Sequence, residues 1–187
     1  MLLLAFPSLG TAMLLLRWIT VAVAAVLVSA ANTNVAIKAA VDSVDSKMRH
    51  AGPTILTLMA NQSLSDTTLG RVMTDIGTTW RIAGTTLRAT AVSDGSTTTH
   101  PTNDDIGTIY GDALLLLSTS LSGIKATGKV PGFPAQVRTL DPIVANATRQ
   151  LNVTLPNSLV LPSILMRDAR QFFLAEGFNQ TLASLGF

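Results

Sequence analysis

The sequence predicts an all-α fold: a bundle of about five or six amphipathic helices behind an N-terminal signal segment. Three observations carry that expectation. Apolar residues recur at steps of three and four, not in alternation. Clusters of Gly, Pro and Asn cut the chain into helix-length pieces. There is no cysteine, so a secreted domain of this size must be held by packing alone, which a helical bundle can supply.

The leader comes first. Residues 1–31 are almost wholly apolar, with one charge at Arg17. The run Ile19 to Val28 ends in Ser29, Ala30 and Ala31, small residues of the kind a signal peptidase accepts. A signal peptide over 1–31 is the first reading and a retained signal anchor the second, since about 20 apolar residues suffice to span a bilayer. Met13 offers an alternative start that would give a compact signal. Residues 32–187 then form a single helical domain, working outside the cell or in the cell wall.

Within that domain, Val35, Ile37, Val41, Val44 and Met48 line a first helix that Gly52-Pro53 is expected to stop. A short second helix is expected from Pro53, a favourable first-turn residue, to Ala60. Ser65 is placed as an N-cap, with Asp66 where the helix dipole favours an anion. From Asp66 to about Thr90, Leu69, Val72, Met73, Ile76, Trp80, Ala83 and Leu87 fall in one stripe. Gly70, Gly77 and Gly84 recur every seven residues beside it. Glycine costs about 1 kcal/mol against Ala inside a helix, which points to a close neighbouring helix or to a gap that admits a ligand.

Ser93 to Thr102 is a loop by composition. A helix from Asn103 or Asp104 follows, its inner face built from Ile106, Ile109, Tyr110, Ala113, Leu114, Leu117, Leu121 and Ile124. Asp104-Asp105 reads as capping. The glycines and prolines of Lys125 to Pro134 argue against regular structure there. Val137, Leu140, Val144, Ala147 and Leu151 suggest another helix with a break or cap at Asp141-Pro142. Leu155-Pro156-Asn157 is a turn. A last helical region is expected from Pro162-Ser163 through Phe173, with one more short turn packed through Leu182 and Leu185.

The chemistry is sparse. Without the leader the net charge falls from +2 to about +1, and Lys and Arg are scattered; this excludes a nucleic-acid interface. Gly123 to Lys129 matches most of a phosphate-binding loop, but Val130 stands where Ser or Thr must hold magnesium, and Pro131 prevents the loop from opening a helix; no nucleotide is expected. His50 and His100 have no metal-ligand spacing, so no metal or other cofactor is expected. There is no Gly-x-Ser-x-Gly elbow. Asp42 and Asp45 share a helix face and read as solvated charges, not a catalytic pair. The chain is therefore expected not to be an enzyme. Four N-x-[ST] sites, at Asn61, Asn146, Asn152 and Asn179, become glycan candidates behind a signal peptide.

Two segments resemble a known family. The opening helix Asn32 to Met48 (NTNVAIKAAVDSVDSKM) and the later Asp104 to Val130 (DDIGTIYGDALLLLSTSLSGIKATGKV) sit in a Cys-free, Ser/Thr/Ala-rich chain behind a leader. In these features the chain resembles the fungal hydrophobic surface-binding proteins, which are related to the cell-wall galactomannoproteins. The likeness covers roughly residues 33 to 150; low Lys and Glu content and the segment after about Leu151 depart from it. It implies adsorption to apolar surfaces, or capture of a fatty acid or other lipid between helices. Ile76, Trp80, Leu87, Leu114, Leu117, Leu121, Phe172 and Phe173 are the candidates for lining an acyl site; the competing reading is that all eight fill the core. Cell-wall polysaccharide is a further candidate partner, with a structural glycoprotein of the wall as the alternative function.

Overall fold

The computed structural model describes residues 33–187; the signal segment expected over 1–31 lies outside the described residues. The described chain is all-α. Four long helices make the body: α1 (Thr33–Ala60), α2 (Asp66–Ala89), α3 (Asn103–Leu121) and, after the four-residue α4 (Ile124–Thr127), α5 (Phe133–Thr154). Three short helices follow: α6 (Val160–Leu165), α7 (Arg170–Glu176) and α8 (Asn179–Ser184). Among the described residues no helix is long and apolar enough to cross a membrane.

Two expected breaks are absent. The helix expected to stop at Gly52-Pro53 instead runs unbroken to Ala60 with Pro53 inside it, and α5 runs through Pro142. Proline removes one intrahelical bond and costs about 3 kcal/mol. Burial on both sides offsets this: Met48, Ala51 and Ile55 flank the first site, Leu140 and Val144 the second. The Thr54 hydroxyl also donates to the His50 carbonyl at 2.9 Å, beside the proline. The stretch 125–134 holds α4 and the start of α5, so it is more regular than its glycines suggest. The last helical region is divided between α6 and α7, and α8 is the expected terminal turn.

The other boundaries follow their signals. Ser65 caps α2: its hydroxyl accepts from Thr68 N, while the Thr68 hydroxyl accepts from Ser65 N, satisfying two free helix donors. Thr102 and Asp105 form the same reciprocal pair on α3.

Cross-links fix the arrangement. Asn34 Nδ2 donates to Pro101 O and Gly52 faces Ser120, so α1 and α3 run in the same sense. Gly70, Gly77 and Gly84 face Gln136, Leu140 and Ala147 in turn, so α2 and α5 are also parallel. That pair is tied at both ends: Gly132 N donates to the Asp66 carboxylate at 2.8 Å, and the Thr154 hydroxyl donates to Leu87 O at 2.9 Å. One apolar core joins all these elements, with Trp80, Tyr110, Phe133, Phe173 and Phe178 as its largest fully buried side chains.

Candidate functional site

The eight candidate acyl-site residues are brought together, but as packing. Ile76, Trp80, Leu87, Leu114, Leu117, Leu121 and Phe173 are buried in the core, and Phe172 packs against it, half-buried. Trp80 meets Tyr110 edge to face, with centroids 5.5 Å apart. The Tyr110 hydroxyl pairs with the Thr148 hydroxyl at 2.8 Å, and Thr148 in turn donates to Val144 O. Burial pushes the Tyr110 phenol well above its ordinary pKa, against the opposing pull of the Thr148 hydrogen bond. It stays neutral. This centre fixes helices to one another.

The outer surface is less uniform. Eleven large apolar side chains stand exposed among the described residues, and five of them, Val160, Ile164, Leu165, Leu174 and Phe187, lie in the last stretch of chain. Local structure gathers them. Val160 and Ile164 share one face of α6, being four residues apart. Gly111 lets Leu165 and Pro162 approach α3, and exposed Leu115 stands one turn beyond Gly111. The Ser163 hydroxyl donates to Leu185 O at 2.7 Å, drawing the C-terminus onto α6. Arg170 lies 5.4 Å from the Phe187 ring centroid, a cation–π distance. Leu174 is one turn further along α7.

Two buried carboxylates hold this segment to the body. Asp141 accepts from Gln180 N (2.9 Å), Thr181 N (2.8 Å) and the Thr181 hydroxyl (2.7 Å), capping α8 from a distance. Glu176 Oε1 accepts from Gly123 N at 2.8 Å, while its Oε2 is buried without a partner.

Three of the surface depressions among the described residues have none of the eight core candidates in their lining. The groove between α2 and α5, about 320 Å³, has Gly70 and Gly77 in its wall, Met73 and Leu140 in its floor and exposed Arg81 beside them. A Cβ at either glycine would sit 3.4–3.5 Å from its neighbours, in ordinary contact. These glycines widen a groove; the helix approach does not require them. A tighter approach is at Gly111, where a Cβ would lie 2.6 Å from Leu165 Cδ1 and 3.3 Å from Pro162 Cα, so that the Leu165 side chain would have to shift.

The second depression, about 610 Å³, lies beside His100, Asp105 and Lys38. His100 Nδ1–H donates to Asp105 at 2.6 Å. The Thr102 backbone N–H, the His100 ring and the Thr102 side chain together draw the Asp105 pKa down to about 2. Lys38 is paired with Asp42 at 2.7 Å, and Arg49, raised above its ordinary pKa by Asp45, is paired likewise. The third depression, about 250 Å³, opens where the turn before α6 meets the start of α3.

His50 Nδ1–H donates to Ser46 O within α1, far along the chain from His100. Among the described residues no group of three or more His, Asp or Glu side chains could hold a metal ion. Asn61, Asn146, Asn152 and Asn179 are all exposed. The third residues of the last three sequons, Thr148, Thr154 and Thr181, are buried and hydrogen-bonded, so each has a structural use of its own. No protein-family model matches the chain, and no curated protein matches it.

Proposed function

We propose that the chain is a secreted, non-enzymatic protein that binds apolar surfaces or lipid assemblies through the outer face of Val160–Phe187. One observation carries this reading: five of the eleven exposed large apolar side chains lie in the last stretch of chain, Val160–Phe187, while the core candidates are already packed. Clustered exposed apolar area, rimmed by polar groups, is the usual mark of an interaction site. Arg167 and Arg170 stand exposed beside it and suit an interface where long cationic side chains keep their heads in water. The resemblance to fungal hydrophobic surface-binding proteins points the same way, and so does the leader.

The test is retention of the purified protein on octyl-coated beads and on phosphatidylcholine vesicles. Retention on either supports the reading; loss to the wash on both overturns it. A wall glycoprotein is the second reading, favoured by the exposure of all four sequon asparagines. Release from a cell-wall fraction only after glucan digestion, with a glycan-dependent mass, is its signature.

A further inference from the structure

We propose that the depression at the start of α3 takes the sugar headgroup of a neutral glycolipid. It holds about 250 Å³, below the range of drug-sized pockets and suited to one small ring, not an oligosaccharide. Its polar lining is Asn103, Asp104, Asn157 and Ser158. That set offers two amides, a carboxylate and a hydroxyl, donors and acceptors together, and no cation. An anionic headgroup finds no countercharge there. A ring of hydroxyls, each able to donate and accept, matches the set.

Ser158 is the second, independent observation. It is 3 % exposed, and its Oγ is buried without a hydrogen-bond partner. An unmade buried hydrogen bond is a standing cost to the fold, and a turn of the Ser158 side chain towards the depression would let a ligand hydroxyl remove it. Asp104 joins no ion pair among the described residues, so its carboxylate is free to accept from the same ligand.

The neighbouring apolar wall selects a lipid over a free sugar. Val160 and Ile164 line the depression and also belong to the exposed apolar face. A ring seated against them leaves its aglycone over that face. The inference therefore rests on the reading of Val160–Phe187 as an apolar interface.

The experiment compares binding of the purified full chain to phosphatidylcholine vesicles with and without a neutral monohexosylceramide, beside a bead-immobilised alkyl-free monohexoside. The expected result is roughly tenfold tighter binding to the glycolipid vesicles (about 1.4 kcal/mol), with little retention on the monohexoside. Ser158→Ala is the discriminating variant. Deleting an unpartnered hydroxyl leaves thermal stability unchanged or raised, yet the glycolipid increment falls to near one. Asn157→Gly, which keeps the positive φ of 65° at that position, has the same effect. Equal binding to both vesicle types overturns this inference and leaves the apolar face standing. No binding to either overturns both. Equal binding to the monohexoside and to glycolipid vesicles overturns the lipid source.

Discussion

The body, Thr33–Thr154, and the C-terminal segment, Leu155–Phe187, solve different problems with the same kind of element. The body's helices are long; α2 and α3 carry their own capping boxes, and the apolar stripes turn inward onto Trp80 and Tyr110. The C-terminal helices are six or seven residues long and make no side-chain caps from their own N-cap residues. They hold their place through Asp141, Glu176 and the close approach at Gly111. Short helices are marginal alone, so tertiary bonds hold these, and their apolar residues divide between core and solvent. The body secures stability; the segment is where contact is proposed.

The largest expected effect breaks the body. Trp80→Ala removes the biggest buried side chain and should cost about 3–5 kcal/mol, read as a lower midpoint in urea unfolding; an unchanged midpoint would deny that this centre holds the bundle. Asp141→Ala sharpens the contrast. It strips the cap from α8 and should cost about 1.5–3 kcal/mol. Hydrogen exchange should show protection lost over Asn179–Ser184 while α2 keeps its own.

The glycines test the two regions in opposite directions. Gly111→Ala should destabilise by about 1–3 kcal/mol, because Leu165 must move. Gly77→Ala should be neutral or stabilising by up to about 1 kcal/mol through helix propensity. Thermal melts of the two variants decide whether the seven-residue glycine repeat serves packing. The smallest effect is at Asp105. Its folded pKa of about 2 lies below the ordinary carboxylate value of 3.8, so its stabilising contribution is complete above pH 3.8 and fades as pH falls through about 2. Asp105→Asn should flatten that acid limb of the pH–stability curve.

Much of the body was legible in the sequence. The stripe from Leu69 to Leu87, the Ser65 cap and the loop Ser93–Thr102 are local signals, and α2 and α3 obey them. Pro53 and Pro142 mislead because the cost of proline is local, whereas the burial that offsets it comes from neighbours distant in sequence. The glycine repeat poses a question that only the placement of α5 answers. The exposed apolar face of the C-terminal segment is hardest to read. Val160, Ile164 and Leu174 look like any apolar helical residues until Asp141, Glu176 and Gly111 fix which side of each short helix faces out. Asp141-Pro142 reads as a break or cap of its own helix in the sequence; in the fold Asp141 caps the distant α8 instead.

Amide hydrogen exchange of the full chain, with and without phosphatidylcholine vesicles, tests the division most directly. Vesicles should add protection over Val160–Phe187 and leave α2 and α5 as they were. Protection that appears instead along α2 and α5, or nowhere, would contradict the assignment of contact to the C-terminal face.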